Sequence, residues 1–440
     1  MVLSLLSASP VVPASAAQRA QVGVRSIAPG VTYQRIRDPD GPWVVHVVRV
    51  DPSTAAAIDL GAAGPTMGAY SRPSEIGSAN GAVVAINGDF GLRSGQPLHP
   101  FLLDGSLKGR GIQNGVNFAV GDDEDKSFVG PERLEITGAH RRERRRFTLS
   151  EWNSGRPEPG EIVAFTRFGG SVESPPDDAC SVRLKPDGRL RWGSREVGGV
   201  TRRFTVDVRG CQPSPIKATR RAVVIASRRR GGGARTIKAM KPGDSVRLSW
   251  SFGWPKVLDS IGGMPQLVAH RDNVAGTCAS YFCKRNPRTG VGVTSDGTVL
   301  LVVVDGRSGD SVGMTLIEFA RTFLSLGAVK ALNLDGGGSA AMWIRGRGIV
   351  SDPSDSSGER AVVNAMLVLP HADSEEPSVG SPVVPSPSTP ADASWAAMLA
   401  ATDPGSTGGL ADAWLRGELG MSEQAPPAIV RIARSFSARA

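Results

Sequence analysis

Aromatic residues are scarce in this chain. Phe, Trp and Tyr make up 5% of its 440 residues, and histidine occurs five times, as His46, His99, His140, His270 and His371. Few histidines leave few ways to build a Ser–His–Asp site, and no G-x-S-x-G elbow surrounds a serine. Lysine is also rare: nine Lys against 42 Arg, for a net charge of +9. No apolar run approaches the ~18 residues of a membrane-spanning helix. The phosphate-binding pattern G-x-x-x-x-G-K-[ST] is missing, and no G-x-G-x-x-G opens a helix after a strand. Cysteine occurs four times, never as Cys-x-x-Cys, and no histidine lies near either pair in sequence, which counts against zinc. An even number of cysteines permits two disulfides. The simplest pairing is sequence-local, Cys180 with Cys211 and Cys278 with Cys283.

The basicity has two readings. Arg dominance can be background composition, or it can serve phosphate through a planar fork of donors. The densest run is His140-Arg141-Arg142-Glu143-Arg144-Arg145-Arg146. No aromatic interleaves it as single-strand nucleic-acid binding requires, so it reads as a solvated hairpin tip. Residues 122–126 read as a second charged loop. Arg228-Arg229-Arg230-Gly231-Gly232-Gly233 reads as a turn between two strands.

Residues 1–17 are small and apolar, and Ala14 and Ala16 fit a small-x-small cleavage site, although no Lys or Arg precedes Arg19. They are expected to be a truncated signal segment, which makes the protein secreted or part of the cell envelope. Residues 25–370 alternate short apolar strands with Gly/Asp turns and form one catalytic domain. Strands are expected at 43–50, 83–86, 222–227, 298–304, 330–334 and 362–369. The 298–304 run is apolar at almost every position and so is buried on both faces. A helix is expected over 315–326, opened by the Thr315/Glu318 capping box and stopped at Gly327. Thus 298–334 is a strand–helix–strand unit. The fold class is α+β, a mixed β-sheet core with a few packed helices. A Pro/Ser-rich linker at 371–393 and a weakly helical or disordered tail at 394–440 follow.

Polar residues at the ends of buried strands are the candidate site. Asn87-Gly88-Asp89-Phe90 follows one strand, Asp305-Gly306-Arg307 a second, and Asp335-Gly336-Gly337-Gly338-Ser339 a third. Arg288 and Thr289 lie ahead of the second, Glu359 and Arg360 precede the last strand, and Asn364 lies within it. Singly, each is an ordinary turn signal. Together they repeat one placement beside apolar strands, the pattern of a polar site on a rigid scaffold. Three glycines also let backbone N–H groups approach an anion. His99 stands in a Pro-flanked loop twelve residues after Asn87, where a lone histidine is usually at the surface.

Seven segments in order resemble the phosphodiester glycosidase family: AINGDF (85–90), FLLDG (101–105), GGMPQLV (262–268), RTGVGV (288–293), VVVDGR (302–307), the stretch from GMTLIEFA to LNLDGGGS (313–339), and GERAVVNA (358–365). Its vertebrate member removes N-acetylglucosamine from a phosphodiester on lysosomal hydrolases. The resemblance implies hydrolysis of a sugar C1–O bond in a sugar-1-phosphodiester of a glycan or glycolipid. It carries the family's polar motif onto Asn87, Asp89, Arg288, Thr289, Asp305, Arg307, Asp335, Gly336 to Ser339, Glu359, Arg360 and Asn364. Two positions depart from the family: Phe90-Gly91 stands where two aromatics are frequent, and Gly290 where alanine is usual. The first leaves the identity of the sugar open.

The chemistry agrees with the residue types. A phosphomonoester leaves readily and requires charge neutralisation, which Arg288, Arg307 and Arg360 can supply. The oxocarbenium-like centre requires a carboxylate, from Asp335, Asp89 or Asp305. Acidic groups beside a phosphate could also hold a divalent cation. Two other functions remain open: a glycoside hydrolase acting on a phosphate-free bond, and a non-catalytic envelope polysaccharide-binding protein. Nucleic acid is not an expected partner, since no recognised binding motif is present.

Overall fold

The structure is a computed structural model. It describes residues 20–370 except 22, 40, 52, 54–55, 112–114, 122–125, 132, 154–155, 173–177, 189–190, 193–199, 212–215 and 220. The expected signal segment (1–17), linker (371–393) and tail (394–440), and most of the 122–126 loop, lie outside the described residues. The described fold is α+β and mainly β, as expected. Among the described residues, no helix is long and apolar enough to cross a membrane.

The centre is a nine-stranded sheet. Strand Val299–Val304 lies in its middle, between Trp43–Val50 and Arg288–Thr294, and Ala328–Asn333 pairs on the far side of Arg288–Thr294. Every residue from Val299 to Val304 is buried. Side chains alternate across a strand, so the run serves two cores. Leu301 and Val303 pack with Val48, Ile86 and Met366, while Leu300, Val302 and Val304 pack with Leu316, Phe319 and Phe323. Those last three belong to helix Leu316–Ser325, whose N-cap Thr315 forms the expected capping box with Glu318. Burial of each such apolar side chain contributes about 1.5–3 kcal/mol.

The expected strand–helix–strand unit is therefore present but split. Its two strands do not touch, because Arg288–Thr294 runs antiparallel between them. This insertion brings Arg288 and Thr289 beside Asp305 and Asp335.

On the other face of the central sheet lie two five-stranded sheets. One holds Val84–Asn87 between Met342–Ile344 and Asn364–Pro370. The other holds Val257–Gly263 between Val116–Gly121 and Phe101–Leu103. A second nine-stranded sheet is built from chain between Glu135 and Ser251, with its own core of residues such as Val182, Phe204, Leu248 and Trp250. Nothing in the residue pattern marks this stretch as a separate layer. Helix Gly232–Ala239 packs on it, so the glycine run after Arg228–Arg230 opens a helix rather than joining two strands directly. Both disulfides have the sequence-local pairing, Cys180–Cys211 in this outer sheet and Cys278–Cys283 in the loop before Arg288.

Candidate active site

Three expected motifs converge where the central sheet meets the sheet of Val84–Asn87. Asn87 is fully buried and ties them together. Its Nδ2 donates to the Asp335 carbonyl (2.6 Å), and its Oδ1 accepts from Thr289 Oγ1 (2.7 Å) and the Ala341 N–H (3.2 Å). The Asp335 N–H donates to the Gly88 carbonyl, and the Leu334 N–H to that of Thr289. Asn364 closes the group, its Oδ1 accepting from the Asp89 N–H (2.8 Å). Its Nδ2 is buried with no partner among the described residues.

Asp335 is 6% exposed. Burial pushes its carboxyl up to about 6, opposed by hydrogen bonds from Ser339 and the Gly336 N–H and by nearby Arg360; Asp89 adds to the rise. Asp335, Asp89 and Arg360 thus lie within one electrostatic neighbourhood.

Two further carboxylates differ from Asp335 in having imidazole partners. Asp89 Oδ1 accepts from His99 Nδ1–H (2.7 Å) and the Phe90 N–H (2.7 Å), and its Oδ2 accepts from the His99 N–H (2.9 Å). Asp305 Oδ2 accepts from His46 Nε2–H (2.9 Å), and its Oδ1 from the Asp352 N–H (2.9 Å). The second nitrogen of each imidazole separates the two pairs. His46 Nδ1 accepts from the Tyr33 hydroxyl (2.8 Å), so both nitrogens are used. His99 Nε2 is buried with no partner among the described residues. His99 is not a surface residue: it is fully buried, its ring packed against Gly262 and Gly115 where a side chain would collide.

The arginines separate as well. Arg288 is 2% exposed; its Nε donates to the Met314 carbonyl (2.8 Å) and its Nη2 to those of Phe282 and Lys284 (both 2.7 Å). Burial pushes it down to about 10. Arg360 pairs with Asp355 through Nε (2.6 Å) and Nη2. Arg307 is exposed, with φ of 63°, a backbone region few side chains adopt. Its guanidinium donates to Ser354 Oγ and Asn286 Oδ1 (both 3.2 Å), which are neutral. Among the described residues no carboxylate pairs with it.

The glycine run lets these groups meet. A Cβ on Gly337 (φ 62°) would sit 3.0 Å from Arg307 Nη2, and one on Gly338 would fall on Asp355 and Arg360. Any side chain at 338 would displace the Asp355–Arg360 pair. Glu359 faces elsewhere: it accepts from the Ser74 N–H (2.8 Å) and hydroxyl at the start of helix Pro73–Ala79, and burial raises its pKa. Among the described residues no three His, Cys, Asp or Glu side chains cluster as a metal site.

These motifs have a counterpart among known proteins. Residues 196–369 match the phosphodiester glycosidase family. The motif resemblance is borne out over this stretch, which includes Arg288, Arg307, Asp335, Arg360 and Asn364. A protein of Bacillus subtilis (strain 168), the SPbeta prophage-derived uncharacterized protein YomE, is 37% identical over 124 residues, covering 28% of this chain. The chain spans 17% of that relative's length. A hypothetical protein from Synechocystis shares the fold with a TM-score of 0.58 and 23% identity, over 77% of this chain and 62% of that one. A protein of Burkholderia pseudomallei K96243, described as exported, shares it with a TM-score of 0.56 and 18% identity, over 80% and 97%.

Sequence reasoning missed Tyr33, His46, Ser354 and Asp355 around this site. Only His46 carried a signal, as the one imidazole within the apolar strand Trp43–Val50. Asp355 and Ser354 lie in a polar loop that nothing local distinguishes from a surface turn.

Proposed function

We propose that residues 25–370 form a glycosidase that hydrolyses the sugar C1–O bond of a sugar-1-phosphodiester in a glycan or glycolipid. The observation that carries this reading is Arg307: an exposed guanidinium without a carboxylate partner among the described residues, set against the glycine run that begins at buried Asp335. An anion placed on Arg307 would bring its sugar toward Asp335.

In this reading Asp335 serves the anomeric centre. A carboxyl raised to about 6 is largely ionised at pH 7 and still basic enough to take a proton from water. Water adds to C1, the C1–O bond breaks, and the electron pair leaves on the phosphate oxygen. The products are a free sugar and a phosphomonoester. Arg307 neutralises the departing phosphate, and Arg360 shapes the field around Asp335.

Three carboxylates are not equivalent here. Asp89 and Asp305 each bind an imidazole, so these two act as holders of His99 and His46. His99, its tautomer fixed by Asp89 and its ring packed against Gly115 and Gly262, holds Asp89 in place beside Asp335. Arg288 supports the site from within, since its Nε and Nη2 donate to the Met314, Phe282 and Lys284 carbonyls. No step is assigned to a divalent cation. Two disulfides suit an oxidising compartment, in agreement with a secreted or envelope location.

The test is incubation with a synthetic sugar phosphodiester. Equal release of sugar and phosphomonoester is expected. Turnover of a neutral aryl glycoside at the same rate, unaffected by Arg307→Ala, would overturn the reading.

A further inference from the structure

The outer sheet carries a second concentration of charge that the site does not use. The hairpin of Glu135–His140 and Arg145–Thr148 continues through Ser245–Ser251 to Val200–Gly210. The register aligns Arg146 with Ala139, Ala139 with Arg247, and Arg247 with Arg203. One row across four strands therefore holds three arginines on its outward face, with Arg203 and Arg247 directly opposed. Like charges so placed repel. Arg141, Arg144 and Arg145 border the same cleft, of about 370 Å³. Among the described residues none of these six guanidinium groups makes an ion pair. Their neighbour Arg142 does pair, with Asp244, which also fixes His140 at the base of the turn.

A surface of unopposed arginines is stabilised by a bound anion. Two residues further along each strand lies a parallel row of hydroxyls: Thr148, Thr137, Ser249 and Thr201. Phe147, Phe204 and Trp250 are on the opposite, core-facing side. The face thus offers phosphate donors beside sugar-hydroxyl partners, and no aromatic platform for bases. Adjacent rows are about 7 Å apart and adjacent strands about 5 Å, so several phosphates of one chain can be engaged together.

We infer that this face binds a phosphodiester-linked glycan chain, holding the polymer whose links the proposed activity cuts. The identity of the polymer rests on that activity. The binding itself does not depend on it.

The experiment uses a fluorescent synthetic oligomer of about eight glycosyl phosphate units and the full chain. With Asp335→Asn preventing cleavage, Arg146→Ser/Arg203→Ser/Arg247→Ser is expected to weaken oligomer binding at least about tenfold. The slope of log affinity against log salt should shrink by about two, near 0.7 for each phosphate no longer neutralised. Arg203→Glu distinguishes removal of phosphate donors from misfolding: it should raise the melting temperature by pairing with Arg247, yet still weaken oligomer binding. With Asp335 intact, the triple variant should raise KM for the oligomer and leave a single-unit sugar phosphodiester unchanged. Unchanged oligomer affinity and salt slope in the triple variant would overturn the inference. So would duplex DNA binding more tightly than the oligomer through the same arginines. If the single-unit substrate is not turned over while the oligomer still depends on the arginines, the activity falls and the binding face stands.

Discussion

The half of the molecule around Asp335 and the outer sheet handle charge in opposite ways. Around the site, Asp89, Asp305 and Asp335 are buried, and each accepts hydrogen bonds from named neighbours. On the outer sheet, Arg203, Arg247 and Arg146 stand exposed on one face, with no carboxylate among the described residues to meet them. Burial gives the first region its chemistry, because a carboxyl withdrawn from water changes its proton affinity. Exposure gives the second region its affinity, because unopposed like charges gain most when an anion arrives. The basic balance of +9 therefore has two sources of meaning: single arginines such as Arg307 at the site, and a register-built row far along the chain from it.

The comparison can be broken most directly at Asp335. Asp335→Asn is expected to lower kcat by about 10³, the range of a lost acid–base group, measured as sugar and phosphomonoester release. The outer sheet should be untouched, with oligomer binding preserved.

The reverse cut is the Cys180–Cys211 bridge. It closes 31 residues of the outer sheet, so its removal should cost about 3–4 kcal/mol, against about 2 for the five-residue Cys278–Cys283 clip. Thermal unfolding of the two paired serine variants checks this. A larger loss at the short clip would show that loop length does not set how the bridges stabilise the two regions.

The Asp335 carboxyl binds its proton more tightly in the fold, with a value of about 6 against an ordinary 3.8. The unfolded chain therefore loses that proton first as pH rises, and stability falls between about pH 4 and 6. Above pH 6 the cost of the buried charge is fully present, on the order of 3 kcal/mol. Asp335→Asn should accordingly be more stable than the parent at pH 7 and equal to it near pH 3.5, by chemical denaturation. A variant equally stable at both would separate the burial of Asp335 from its chemistry. The smallest expected effect is that of Arg307→Ala, about 10² in kcat/KM on a phosphodiester and none on a neutral glycoside.

Most elements were legible because their periodicity is local. The helix after Thr315 and the strand Val299–Val304 appear within a residue of their expected bounds, since capping and apolar runs act over a few neighbours. The candidate residues were legible because motifs place polar groups at strand ends. Their roles were not. Asp89, Asp305 and Asp335 read alike in sequence, yet two of them bind His99 and His46, partners 10 and 259 residues away. The run at 140–146 read as a hairpin tip, and it is one; no local pattern could say that Arg247 and Arg203 come beside it.

From its sequence alone this chain has its fold class, its disulfide pairing in simplest form, its strand-end motifs and the family they resemble. Each of these depends on neighbours along the backbone or on a pattern of residue types. The tertiary structure decided which carboxylates are tied to an imidazole and which is not, which arginine faces open space, and which arginines form a row. Those properties depend on burial and on strand register, and both are set by residues far apart along the chain.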